Sequence, residues 1–276
     1  WFSASYQFTP SIRAYARYAE AYRFPSMFES TLGFSAAIDP FYPLRPEHAY
    51  NMEVGYVQDL RDWMDLSQQQ RADIKLAWFS QRTRNVIERG GQLQFNNLDK
   101  QVIKGLELQA RFDNSKLFFD FGAAYTPTNK ACDESTAILK DSGQGRIPDC
   151  VNYGFVSSYL LTQASPKFSA NLNLGARFLH RSLEIGSRSV YYRAYHNRQL
   201  DEWVGARTIG GYGLNVPYTW GTIATIDAYA DYHTRRGTTF ELAGTNLSNR
   251  YYVDPLTRSL MPAPGRTLRL SINARF

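Results

Sequence analysis

No stretch of this 276-residue chain approaches the ~20 consecutive apolar residues that a membrane-spanning helix needs, which excludes a helical membrane bundle. Helical periodicity is nearly absent. Histidine is scarce, with four residues, and cysteine scarcer, with two. A structural zinc site is therefore not expected, because a metal-binding Cys pair normally brings further Cys or His close by. Glycine-rich phosphate loops, paired carboxylates at catalytic spacing and nucleophilic triads are missing too, so the chain does not read as an enzyme. Basic residues exceed acidic ones by 31 to 25, a net charge of +6. They are scattered with no basic cluster, so nucleic acid is not an expected partner. Aromatics, by contrast, are plentiful: Tyr 19, Phe 17 and Trp 5 make up 15% of the chain. That richness excludes disorder.

What the chain does carry is alternation. In residues 266–276, Leu268, Leu270, Ile272, Ala274 and Phe276 share one face, and Thr267, Arg269, Ser271, Asn273 and Arg275 share the other. Residues 169–178, 105–112 and 71–78 repeat the pattern, which is that of strands with one apolar and one polar face. Several such windows run ten residues or more, where sandwich strands usually run about five or six. A tilted membrane-spanning strand needs about 9–11. Small residues on the apolar faces and aromatics near strand ends fit lipid contact and interfacial girdles. The expected fold class is all-β: a transmembrane antiparallel β-barrel.

Short and long connections alternate. Short ones fall near residues 9–11, 114–116, 179–182 and 234–237, with a longer one at 61–70. Long ones fall at 22–46, 88–100, 127–166, 196–220 and 248–265. Bacterial barrels have short periplasmic turns and long outer loops, so the long segments are expected outside the cell. The count is about 11 strands, an odd number where bacterial barrels use even ones. With Trp1 in mid-pattern and no signal peptide, the expectation is the C-terminal half of a probable 22-stranded, plugged barrel. Residues 1–276 would then be one barrel portion, with the plug and the first strands absent.

Two segments resemble TonB-dependent outer-membrane receptors. The first is Tyr15-Ala-Arg-Tyr-Ala-Glu-Ala-Tyr-Arg-Phe-Pro-Ser26, followed by Leu44-Arg-Pro-Glu-His-Ala-Tyr-Asn-Met-Glu-Val-Gly55. The second runs from Gly244 to Leu268, through Asp254-Pro-Leu-Thr-Arg-Ser-Leu-Met-Pro-Ala-Pro-Gly-Arg-Thr267. Its wording is most similar to the haem, haemoglobin and haemophore branch. That resemblance implies a receptor of the bacterial outer membrane whose outer loops capture haem or a haem-carrying protein, imported with energy from the TonB complex through an N-terminal plug. Its partners would be outer-membrane lipid, TonB, and a haemophore or haemoglobin. No permanently bound cofactor is implied; haem would be cargo. A ferric-siderophore receptor is the alternative.

The chain departs from that branch where its ligands are usual. The first box reads Tyr22-Arg23-Phe24-Pro25, the second has become Phe41-Tyr42-Pro43-Leu44, and the intervening loop 26–39 has no His. The haem-binding candidates are therefore Tyr42, His48 and His196, since His and Tyr both serve as axial ligands. His180 and His233 fall at the periplasmic end. The apolar segment 32–38 could supply a haem wall. Tyr22, Arg23, Phe24, Pro25, Pro46 and Glu47 belong to the receptor motif, with Arg23 expected to pair within the rim and Pro25 to end strand pairing. Cys132 and Cys150 share the long outer segment 127–166 and are expected to form a disulfide, because outer-membrane proteins pass through an oxidising periplasm.

Overall fold

The computed structural model describes residues 1–31, 42–90, 94–140, 147–155, 158, 160, 166–199, 220–253 and 262–274. Among them the chain forms an up-and-down antiparallel sheet of β1 (Phe2–Thr9), β2 (Ile12–Arg23), β3 (Glu47–Asp59), β4 (Arg71–Arg89), β5 (Phe95–Asp113) and β6 (Leu117–Cys132). It continues through β8 (Phe168–Phe178), β9 (Leu183–Tyr192), β10 (Ile223–His233), β11 (Thr239–Thr245) and β12 (Thr267–Asn273). Those eleven strands pair in sequence order, with β1 and β12 as the edges. A twelfth, β7 (Cys150–Asn152), pairs on the upper end of β6. At three residues it is too short for alternation to reveal. No described helix is long and apolar enough to cross a membrane.

Register carries each face across the whole sheet. Val54 lies opposite Trp78, Trp78 opposite Leu106, and Leu106 opposite Tyr125. Likewise Tyr232 lies opposite Phe240, and Phe240 opposite Ile272. These large apolar side chains are exposed along the sheet, which makes that face the lipid side. The opposite face holds the ion pairs Asp73–Arg111, Asp113–Arg177, Arg177–Glu184 and Glu241–Arg269. It is the lumen wall.

The lower connections are tight. Asn114 Oδ1 accepts from the backbone N–H groups of Lys116 and Leu117 to close the β5–β6 turn. Leu179, His180 and Arg181 all take positive φ in the β8–β9 turn. One long connection expected from sequence is shorter. The ladder continues from Arg84 opposite Lys100 up to Arg89 opposite Phe95, so the expected loop 88–100 shrinks to residues 90–94. The strands rise past the lipid belt, and polar residues such as Thr83 and Glu88 are buried there against protein.

The packed core lies in that upper extension. Val86, Leu98, Ala131, Val151, Tyr153, Phe155 and Tyr195 bury one another above the barrel, with Leu160 and Trp220 against them. Tyr195 stacks on Trp220, and Tyr153 meets Tyr195 edge-on. Burial pushes the Tyr153 hydroxyl up to about 12. The Cys132–Cys150 disulfide crosses from β6 to β7, with the two residues directly opposite. Next to it, buried Asp133 accepts from the Thr136 N–H at the start of α2 (Glu134–Lys140) and from the Asp99 N–H of β5.

Candidate functional site

The first receptor motif folds into a knot at the upper rim. β2 ends at Arg23, and Pro25, which lacks an N–H to donate, follows it. Ser26 then caps the short helix α1 (Met27–Ser30) in a capping box with Glu29. Arg23 ties the turn together. Its Nε donates to Glu47 Oε2 at 2.6 Å, and its Nη1 donates to both Glu29 oxygens at 2.9 Å. Glu47 accepts a further bond from the Ile87 N–H on β4. Two segments, α1 and β3, thus meet on one guanidinium, and β4 joins them through Glu47. Glu47 raises the Arg23 guanidinium above its already high ordinary value, against the effect of burial, with Glu29 adding to the rise. Burial opposes ionisation of Glu29, but bonds from Ser26 and Arg23 hold its carboxyl below the ordinary range.

Apolar contacts brace the same knot. Phe28 of α1 meets Phe95 edge-on at 5.6 Å, and Leu44 packs on Ile87 and Phe95. The Pro46 carbonyl accepts from Asn85 Nδ2. Asn97 pairs with both backbone groups of Arg45. Phe24 remains exposed. Further down, Tyr15 O–H donates to Glu53, and Lys75 Nζ reaches the same carboxylate at 3.2 Å. A Cβ on Gly55 would lie 2.4 Å from the Tyr15 ring, so any larger residue here would displace that ring from its place over Gly55. The motif residues Glu53 and Gly55 therefore seat a tyrosine on the lumen wall.

The three haem-binding candidates do not converge. Tyr42 is 78% exposed, just before β3. His48 alternates with Tyr50, Met52 and Val54 and so faces outward, away from the lumen. Its ring stacks on Tyr22 at 4.0 Å and lies against Tyr50 at 4.1 Å. Nε2 bonds Glu20 Oε2 at 2.8 Å, and Nδ1 bonds the Tyr50 hydroxyl at 2.9 Å. Both nitrogens are engaged, so iron binding here would require giving up one of these partners. His196 is exposed beside buried Tyr195, past the end of β9. β3 and β9 are five strand steps apart, about 24 Å along the sheet at ~4.8 Å per step. One haem cannot take both His48 and His196 across that span. His180 occupies the β8–β9 turn, and His233 Nδ1 lies 2.9 Å from Thr239 Oγ1, both at the lower end.

The segments 32–41, 141–146, 200–219 and 254–261 and residues 275 and 276 fall outside the described residues. The apolar segment 32–38, Phe41, most of the 196–220 loop, the Asp254–Ser259 wording, Arg275 and Phe276 go with them. The remaining part of the second motif is organised by Asn246. Its side chain donates to the Arg250 and Pro264 carbonyls and accepts from the Arg250 N–H. Arg266 N–H donates to Asn249 Oδ1, closing the hairpin base. On the lumen wall, Arg17, Asn51, Glu53, Phe79, Gln81 and Glu107 border a shallow recess of about 300 Å³. Among the described residues no group of His, Cys, Asp and Glu is placed to hold a metal ion.

A meander of long strands with a lipid face, a charged lumen wall and a vestibule above it defines an outer-membrane barrel. A family model described as TonB dependent receptor-like, β-barrel, matches residues 2–247, and the chain belongs to that family of transport receptors in the bacterial outer membrane. It is 47% identical over 285 residues to the "Hemophilin receptor" of Acinetobacter baumannii, an alignment that takes in 99% of this chain and 27% of that protein. The chain thus spans about a quarter of the length of that relative. Among solved structures, it resembles the hemophore receptor HasR of Serratia marcescens, in complex with its hemophore HasA and heme. That match has a TM-score of 0.66 at 20% identity, over 99% of this chain and 39% of HasR. The FrpB iron transporter of Neisseria meningitidis (F5-1 variant) gives 0.66 at 16% identity, over 99% and 39%. At those identities the two structures speak for the fold alone.

Proposed function

We propose that this chain is the C-terminal barrel portion of an outer-membrane receptor that captures haem, or a haem-carrying protein, at its outer loops. The cargo would enter with TonB-derived energy transmitted through a plug supplied by the rest of the receptor. The observation that carries this reading is the 47% identity with the hemophilin receptor, which runs across 99% of the chain. The haem-branch wording of the Gly244–Leu268 segment agrees with it. In this reading the vestibule core and the Cys132–Cys150 bond hold the loop bases rigid, so that less ordering is needed when a bulky partner docks. Tyr42, exposed just before β3, is the leading iron ligand, and His196 is the second candidate.

One observation favours a ferric-siderophore cargo instead: the His48 imidazole is engaged at both nitrogens on the outer face. Growth separates the two. Iron-starved cells that depend on the full-length receptor should grow on haem or a haem-carrying protein, and should not grow on ferric chelates. Growth on a ferric siderophore and none on haem would reverse the assignment.

A further inference from the structure

Sequence order scatters the basic residues, but strand register corrects the expectation that they form no cluster. On β4–β5–β6, Ser80 lies opposite Lys104 and Lys104 opposite Thr128. One step higher, Arg82 lies opposite Val102 and Val102 opposite Lys130; above that, Arg84 lies opposite Lys100. Alternation puts Arg82, Arg84, Lys100, Lys104 and Lys130 on the same side as Trp78 and Leu106, the lipid side. The Arg84 guanidinium confirms the direction, lying 5.5 Å from the ring of outward-facing Tyr50. The nine outward positions of this patch are Ser80, Arg82, Arg84, Lys100, Val102, Lys104, Thr128, Lys130 and Cys132, with no carboxylate among them. Among the described residues none of the five cations is in an ion pair. On the lumen wall Lys75, Arg111, Arg177 and Arg269 each have a carboxylate.

Height decides what such a patch meets. Lys104 is two residues above Leu106 and Arg82 four above Trp78, about 7 and 13 Å along the strands. At a tilt of ~45° that is about 5 and 9 Å above the last large apolar side chains, the depth of the headgroup layer. Three rows of cations on three strands, about 10 Å across, match anionic headgroups there. Gly105 locks the geometry from beneath. A Cβ on it would lie 2.6 Å from the Tyr125 carbonyl oxygen, where β6 carries its bulge.

We propose that Arg82, Arg84, Lys100, Lys104 and Lys130 form a docking surface for the phosphates of outer-leaflet lipid headgroups. The surface clamps lipid against the strands that carry the vestibule core.

The test is native mass spectrometry of the detergent-solubilised full-length receptor, incubated with phosphatidic acid or with diacylglycerol of the same chains. Wild type should retain phosphatidic acid and release diacylglycerol. The variant R82Q/K104Q/K130Q should retain roughly a hundredfold less phosphatidic acid, at about fivefold per charge removed. A variant of lumen-wall Lys75, K75Q, should behave as wild type. An unchanged thermal transition in the triple variant would show that it is folded. Equal retention by wild type and the folded triple variant would overturn the proposal, as would retention of diacylglycerol at the same level. Displacement of the lipid by inorganic phosphate alone would also overturn it, since the patch would then be an anion site without lipid preference.

Discussion

At the scale of the residue, Arg23 is the most informative position. It is 46% exposed, yet it links two carboxylates that are 13% and 15% exposed, and one of them also receives the Ile87 N–H. Replacing Arg23 by Ala should cost about 1–2 kcal/mol, with screening of the exposed guanidinium keeping the figure low. The check is the thermal transition of the purified receptor at low and high salt, where the wild-type advantage should shrink with salt. Glu29 adds a pH dependence. Its folded pKa lies below the ordinary value, so its ionised form stabilises the knot above about pH 4.3. That contribution is lost as pH falls further, through the lower folded value, and E29Q should be insensitive over the same window. Arg23 and Glu47 stood out in sequence as residues of the receptor motif, without being paired with each other, and nothing there pointed to the Tyr22–His48–Tyr50 stack. Twenty-six residues separate Tyr22 from His48, and only register makes them neighbours.

At the scale of the element, strand existence was legible because one face of each strand meets lipid and the other water. The eleven strands of the meander follow from that alternation. Strand ends were not legible. β4 and β5 run 19 residues each, about twice what the membrane needs. Their topmost residues, about 85–89 on β4 and 95–98 on β5, are largely buried on protein and lose the two-faced pattern that marks the rest of each strand. The vestibule core they build should behave like a soluble core. Leu98 is fully buried, and Leu98→Ala should cost about 2–5 kcal/mol. The disulfide closes 18 residues, and opening that loop removes about 3 kcal/mol of constraint. Reductant, or the paired change C132S/C150S, should therefore speed proteolytic cutting within residues 133–149 while the barrel stays intact. Limited proteolysis with mass analysis reads both outcomes.

At the scale of the whole molecule, β1 and β12 are the two edges of the sheet among the described residues, and lipid cannot satisfy the backbone groups of a sheet edge. Partner strands in a larger closed barrel would satisfy them, which is the role proposed for the rest of the receptor. Family membership was legible from the Tyr15–Gly55 and Gly244–Leu268 wording because those residues perform fixed structural tasks: Arg23 in the rim knot, Gly55 under Tyr15, Asn246 in the last hairpin. Cargo was less legible, because ligand chemistry sits on loops whose residues the fold does not constrain. The most direct measurement is a haem titration of the purified full-length receptor, followed by the haem absorption band, with Y42A and H48A alongside. The account predicts saturable binding by wild type, a clear weakening in Y42A, and binding unchanged in H48A, whose ring faces away from the lumen. Absence of haem binding by wild type, in the presence and absence of a haem-carrying protein, would contradict it.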